Sequence, residues 1–173
     1  MAVAAPPRPL AEADDRNLFD CGKDSINGWL RRHAWINQAS GATRVTVITD
    51  VASGGIIGYV TLSAAQIERA FLPKSQQRNR PDPVPMFLLG QLAIDKNYQG
   101  QGHGADLISY ALKAALHVSD IIGCMGVITH PLDDSVRSFY QAWGFQDLPF
   151  DPRRAMMVRM IDLQRYFGGK SEG

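Results

Sequence analysis

Gln99-Gly100-Gln101-Gly102-His103-Gly104 is the stretch whose residue types point most directly to chemistry. It lies between an apolar run, Met86 to Ile94, and an amphipathic run, Ala105 to His117. Glycine at alternate positions lets the backbone enter conformations that other residues avoid, so bare N–H groups can turn toward one ligand. A helix that begins next brings its positive end and its own unpaired N–H groups to the same spot. That combination suits a phosphate or diphosphate. The two cysteines, Cys21 and Cys124, and the four histidines show no metal-ligand spacing, and no metal is expected.

Such a turn works only if a sheet fixes the strand before it and the helix after it. Asp24 or Ser25 is a plausible cap for a helix running to about Ala39, with Ile26, Trp29, Leu30, His33 and Ile36 on one stripe. Arg44 to Thr49 and Ile56 to Leu62, joined across Gly54-Gly55, read as an antiparallel hairpin whose pairing extends toward Ile67. Pro73 to Pro85 is polar, basic and proline-rich, which predicts an exposed loop. Met86 to Ile94 is apolar enough for a central strand, and Gly90 inside it marks a bulge or a close backbone approach. After the glycine turn, Leu107, Ile108, Ala111, Leu112, Ala115 and Leu116 form a helical stripe. Cys124 to Thr129 follows as a strand. A helix capped by Asp133 or Asp134 then carries Val136, Phe139, Tyr140 and Trp143 on one face and stops at Gly144, and Arg154 to Ile161 reads as the last strand. Residues up to Pro9 and from Gly168 to Gly173 read as loose. Strand, helix and strand around the turn imply a right-handed crossover. The fold class is therefore α/β: a mixed central sheet flanked by helices on both faces, in a single domain over residues 1–173.

The chain has 173 residues, 45% of them hydrophobic, and a formal net charge of +1. That composition fits a packed domain and excludes a disordered charged tail. The start, Met1 to Pro9, lacks the apolar core of a signal peptide, and no run is long enough to span a membrane, so a cytoplasmic protein with two free thiols is expected. Charge is unevenly placed. Ser25 to Thr49 holds Arg31, Arg32 and Arg44 without a carboxylate, and Arg69 to Pro81 holds Arg69, Lys74, Arg78 and Arg80, again with none. Two such stretches are solvated surface or one positive face for a polyanion.

Three phosphate-binding turns compete. A Walker turn fails because Gly104 is followed by Ala105-Asp106. A dinucleotide turn needs GxGxxG close after its strand, and here the spacing is GxGxG. The acyl-coenzyme A turn, [QR]-x-x-G-x-[GA], is matched in place by Gln99, Gly102 and Gly104. With Leu89 to Gly104 upstream and Ser138-Phe139-Tyr140-Gln141-Ala142-Trp143-Gly144-Phe145 downstream, the chain resembles a GNAT-type N-acetyltransferase. It is most similar to the bacterial toxin branch that acetylates the amino group of aminoacyl-tRNA. Phe19-Asp20-Cys21-Gly22, the opening helix, Pro81-Asp82-Pro83-Val84-Pro85, Leu92-Ala93-Ile94-Asp95 and the Phe139-to-Phe145 block occur in that branch's order, over residues 15–163. Gln91 stands where these toxins usually carry arginine.

The resemblance implies a GNAT fold and acetyl-CoA as co-substrate. The N–H groups of Gln101 to Ala105 would hold its diphosphate, with Gln99, Gly100, Gly102, His103 and Gly104 shaping the turn. Leu92, Ala93 and Ile94 would pair with the pantetheine arm. A strand N–H near Gly90 could polarise the thioester carbonyl. The resemblance gives Tyr140 the role of general acid; from spacing alone it belongs to the helix's apolar face. Glu68, Asp95, His130 and Asp133 are possible bases, with no pattern selecting one. The His103 side chain is expected to face solvent. For the tRNA backbone the candidates are Arg31, Arg32, Arg44, Arg78 and Arg80. The implied partners are aminoacyl-tRNA, a ribbon-helix-helix antitoxin and a second copy of the chain, with DNA reached only through the antitoxin complex, in a bacterial cytoplasm. Two other functions fit the same turn: a GNAT acting on a protein amine or small amine, and a non-catalytic acetyl-CoA-binding or co-repressor module.

Overall fold

The computed structural model describes residues 2–168. In chain order its elements are β1 (Arg8–Pro9), α1 (Asp24–Arg32), α2 (Ala34–Ser40), β2 (Arg44–Thr49), β3 (Ile56–Ile67), β4 (Val84–Ile94), α3 (His103–Ser119), β5 (Gly126–Thr129), α4 (Asp134–Ala142), β6 (Gln146–Asp147), β7 (Met156–Arg159) and α5 (Met160–Gly168). The strands lie in the order β1-β2-β3-β4-β5-β7-β6, so β4 is central and α3 connects it to its neighbour β5. The β2–β3 hairpin is antiparallel, from Arg44 opposite Leu62 to Thr49 opposite Ile56. β5 and β7 are also antiparallel, as are β6 and β7. The chain divides into two compact units, residues 1–63 with 89–111 and residues 64–88 with 112–173.

The first unit is built around Tyr59. Its ring stacks on Trp29 at 6.0 Å and meets Phe19 edge-on at 5.5 Å, and its hydroxyl donates to the Ile26 carbonyl at 2.8 Å. Alternation in β2 puts Val45 and Val47 on one face, and the register shift between Ile48 and Thr49 lets Ile56 as well as Tyr59 of β3 join them in one core with Leu30 and Ala34. The residues before Pro9 are not loose. β1 pairs with β2, and Ala5 and Val51 extend the pairing through N–H bonds to Thr49 and Val3. The opening helix is broken at His33 into α1 and α2. The break changes the helical phase, so Ala34 is buried and Ile36, assigned to the apolar stripe, stands 67% exposed, with His33 also outside. The cap position falls on Lys23, and Asp24 sits in the first turn, where its charge suits the helix's positive end.

The second unit packs Leu72, Val84, Met86, Ile128, Leu148, Ala155 and Met157 together. The basic loop is shorter than its proline content suggested, because Val84 and Pro85 already belong to β4. Asp133 caps α4 by accepting the Val136 N–H at 3.2 Å, and Gly144 turns the chain at φ 89°. The final strand stops at Arg159, and α5 replaces its expected end. Met160, Leu163 and Phe167 have the helical spacing that an extended reading through Ile161 overlooked. The residues after Gly168, expected to be loose, lie outside the described ones.

Gly58 has no room for a side chain. A Cβ there would lie 2.9 Å from the Ala93 carbonyl oxygen, 2.5 Å from Ile94 Cδ1 and 3.0 Å from Leu107 Cδ1. Gly58→Ala should therefore lower unfolding free energy by about 1–3 kcal/mol, read as a reduced urea midpoint at unchanged m-value. Gly54→Ala meets no neighbouring atom but keeps a positive φ of 74°. It should cost about 1 kcal/mol through the backbone alone.

Candidate functional site

In the first unit the glycine turn follows β4 through Asp95 to Tyr98. Gly100 and Gly102 have φ of 77° and 88°, where side chains are strained, and a Cβ on either would meet nothing within 4 Å. The conformation, not crowding, requires glycine here. The N–H groups of Gly100 through Ala105 have no acceptor among the described residues; the first N–H to close back is that of Asp106, on the Gly102 carbonyl at 3.2 Å. Gln101, Gly102 and Ala105 are exposed. A run of unpartnered donors at the start of the 17-residue α3 is chemically suited to an anion.

What holds this loop open is a set of polar groups distant in sequence. The buried Asp95 carboxylate accepts the N–H of Asp20 at 3.0 Å and of Asn97 at 2.9 Å. Asp20 accepts from Gly22 and from the Asn27 amide, each at 2.9 Å, and pairs with Lys96 at 2.9 Å. Asn27, buried on α1, accepts the Cys21 N–H at 2.9 Å. The Gln99 side-chain amide donates to the Ile94 carbonyl at 3.0 Å and to the Cys21 carbonyl at 3.3 Å. Gln99 thus ties the turn to β4 and to the Phe19-Asp20-Cys21-Gly22 segment. Sequence reasoning noted that segment as a family mark without seeing its task; a small polar cluster at residues 20–27 with no apolar period was the available signal.

His103 departs from expectation. It is 8% exposed rather than solvent-facing, and neither ring nitrogen has a hydrogen-bond partner among the described residues. As the first residue of α3 its side chain folds under the turn while its N–H remains with the cradle. β4 is central, as its apolar character implied, yet it is not buried throughout. Ala93 is covered, Leu92 and Ile94 are half-buried, and Gly90 is exposed in mid-strand. An apolar central strand left partly open is a surface able to take an extended, amide-bearing chain.

In the second unit Tyr140 is 4% exposed, edge-on to Phe139 at 5.4 Å and to Phe145 at 5.2 Å. Burial pushes its phenol up to about 12, and a side-chain hydrogen bond with Thr129 opposes that in part. At neutral pH it is a protonated donor. α4 is fastened by buried Arg137, which pairs with Asp147 and donates to the Arg154 carbonyl at 3.1 Å. Of the possible bases, Glu68 is exposed, Asp95 spends both oxygens on backbone N–H groups, and Asp133 Oδ1 accepts the Val136 N–H and the Ser135 hydroxyl. His130 is half-buried with an unpartnered Nδ1; burial first, and Arg153 second, hold its basicity below the ordinary imidazole value, with Asp151 opposing.

All five arginines assigned to a polyanion are exposed and form no ion pair among the described residues. Arg31 and Arg32 end α1 and Arg44 opens β2, in the first unit. Arg78 and Arg80 stand on the second unit's loop, which Arg69 braces through the Arg80 carbonyl at 2.9 Å and the Asp82 carboxylate at 3.1 Å.

Within the first unit, a turn of unpartnered amides beside a partly open strand suits a phosphate-bearing carrier with an extended arm. A family model described as "Acetyltransferase (GNAT) domain" matches residues 41–147. The chain belongs to the GNAT acetyltransferase family. A tRNA-acetylating toxin of Mycobacterium tuberculosis (strain ATCC 25618 / H37Rv) is 34% identical over 168 residues, 97% of this chain and 99% of that protein. The solved structure of AtaT complexed with acetyl-methionyl-tRNAfMet is 28% identical, with a TM-score of 0.87 over 95% of this chain and 99% of that one. A tyrosine-to-phenylalanine mutant of the AtaT toxin, bound to the C-terminus of the antitoxin AtaR and acetyl-CoA, is 25% identical, with a TM-score of 0.79 over 95% of this chain and 98% of that one.

The clamp under the turn carries its own acid signature. Asp20 is drawn down to about 2, chiefly by Lys96, then by the Gly22 N–H and Asn27. A carboxyl titrates near 3.9 when unfolded, so its stabilisation is complete above about pH 4 and disappears as pH falls through about 2. Asp20→Asn should flatten the stability profile between those pH values, measured by urea unfolding. An unchanged acid limb would show the clamp to be idle.

Proposed function

We infer that this chain transfers the acetyl group of acetyl-CoA to the α-amino group of aminoacyl-tRNA, and that it is a toxin blocking translation by that route. The run of unpartnered N–H groups from Gly100 to Ala105 carries the coenzyme half of this reading. The likeness over nearly the whole chain to a tRNA-acetylating toxin supports the acceptor half.

Acetyl-CoA supplies an activated acetyl thioester. The Gly100 to Ala105 amides hold its diphosphate, helped by the positive end of α3. Leu92, Ala93 and Ile94 pair with the pantetheine arm through their backbone. The attacking nitrogen must be neutral; an α-amino group has a pKa of roughly 8, and esterification lowers it. Direct transfer needs no nucleophilic side chain. As the nitrogen–carbon bond forms and the carbon–sulfur bond breaks, Tyr140 gives its proton to the leaving sulfur and is restored by the proton that the nitrogen sheds; its raised pKa suits it to be that donor at neutral pH. Arg31, Arg32, Arg44, Arg78 and Arg80 meet the tRNA phosphates; their exposure and lack of ion partners support that assignment. The whole chain acts as one acetyltransferase domain, as a homodimer, in the bacterial cytoplasm. An antitoxin of ribbon-helix-helix type holds it in check and carries the pair to DNA. Among the described residues no helix is long and apolar enough to cross a membrane.

Tyr140→Phe should lower kcat by about 10²–10⁴ with coenzyme affinity and folding kept, assayed with labelled acetyl-CoA and charged tRNA. Label found only in protein or in a small amine would replace the tRNA reading with another acceptor class. The wild-type rate should climb with pH as the substrate ammonium loses its proton and then stay level past pH 10, because Tyr140 keeps its proton until about 12. A fall near pH 8 would move the acid role elsewhere. Arg78→Ala with Arg80→Ala should weaken tRNA binding evenly across tRNAs and reduce the slope of log K against log salt by about 1 per lost phosphate contact. An unaltered slope would take these two residues off the nucleic acid.

A further inference from the structure

Gly90 and Gln91 interrupt the apolar run of β4, and the reason lies on β3. Thr61 is 2% exposed, and its Oγ1 accepts the Gln91 N–H at 2.9 Å. A Cβ on Gly90 would lie 2.9 Å from the same oxygen. The threonine hydroxyl therefore occupies the space that glycine leaves empty. At this step a side chain of β3 takes a backbone N–H of β4. Immediately above, Gly90 is exposed although its strand is central. We propose that Thr61 is a positioning residue for acetyl transfer: by taking the Gln91 N–H it fixes the Gly90–Gln91 peptide and leaves the next strand N–H, that of Leu92, aimed at the acetyl carbonyl oxygen.

The direction follows from strand geometry. Successive N–H groups in an extended strand point to opposite edges. With that of Gln91 held toward β3, that of Leu92 points away from β3, off the other edge of β4. A donor fixed there acts on charge that develops during transfer and costs no reorganisation at that moment. Thr61 touches no reacting atom; it sets the angle of a peptide that does. A hydroxyl is needed, because valine has the same shape but would leave the buried Gln91 N–H without a partner. The surrounding sequence fits: β3 reads Tyr59-Val60-Thr61-Leu62, and Thr61 is its buried polar residue amid apolar neighbours.

This inference rests on the acetyl-CoA reading, and the two can fail separately. The experiment measures acetyl-CoA affinity, kcat, and backbone amide exchange at residues 91 and 92 in the coenzyme-free protein, for wild type, Thr61→Val, Thr61→Ser and Gly90→Ala. Thr61→Val should lose at least tenfold in kcat with coenzyme affinity changed less than threefold, because the diphosphate cradle is untouched, and the Gln91 amide should exchange faster. Thr61→Ser, which keeps the hydroxyl, should recover most of the rate. Gly90→Ala forces the oxygen aside without altering Thr61 and should reproduce the loss, which keeps the test sound if Thr61→Val does not fold. Wild-type kcat in Thr61→Val or in Gly90→Ala, or a Thr61→Ser variant as slow as the valine variant, overturns the proposal while the coenzyme reading stands. Wild-type protein without affinity for acetyl-CoA overturns both.

Discussion

A backbone loop that offers its N–H groups to a ligand has given up the bonds that would otherwise hold it. Gly100 to Ala105 donate to nothing else among the described residues, and two of these residues are glycines at positive φ. Glycine loses more conformational freedom on ordering than any other residue, so a turn of this kind left to itself would be a loose one. The order comes from outside the loop. Asp95 and Asp20 gather the backbone N–H groups of Asp20, Gly22 and Asn97, Lys96 pairs with Asp20, and the Gln99 side chain bonds two carbonyls. The residues that look polar and incidental near the start of the chain are the ones that keep the cradle's donors free and still.

The same trade is made in β4. A central strand ordinarily buries both faces, and the sequence from Met86 to Ile94 has the apolar content to do so. Instead the strand is closed at Leu89 and Ala93 and open between them. Two glycines on adjacent strands make this possible in opposite ways. Gly58 lets Ala93, Ile94 and Leu107 close in, which seals the strand's end beneath the turn. Gly90 admits the Thr61 hydroxyl and leaves the backbone above it bare. One glycine is needed for contact and the other for access.

What the sequence made legible follows from how local each signal is. The hairpin, the glycine turn, α3 and the capped α4 each announce themselves within a dozen residues, through alternation, glycine spacing or an Asp cap. The break at His33 does not, because Trp29, His33 and Ile36 continue an uninterrupted helical period, and only the packing of Ala34 shows that the phase changes. α5 was hidden because Met156 to Ile161 reads equally well as an extended run, and its helical partners Leu163 and Phe167 lie beyond the point where that reading stops. The Asp20–Asn27–Asp95 clamp was out of reach for another reason. Asp95 lies 75 residues from Asp20, and nothing in either segment names the other. The burial of His103 belongs to the same class, since a histidine between two glycines gives no sign of which way its ring folds.

Tyr140 shows why residue type and spacing alone leave a side chain's surroundings open. On α4 it shares a face with Phe139, and its ring is packed by Phe145. By composition it is an ordinary core aromatic. Burial alone would make the hydroxyl a liability, since a phenol without a partner in an apolar site loses its hydration. Thr129 relieves that cost while leaving the proton in place, because burial outweighs the hydrogen bond and the phenol's pKa remains high. A tyrosine with a more generous set of donors would ionise more easily. A tyrosine with none would destabilise the helix that carries it. Between those limits lies a core side chain whose aromatic packing is also what keeps its phenol protonated.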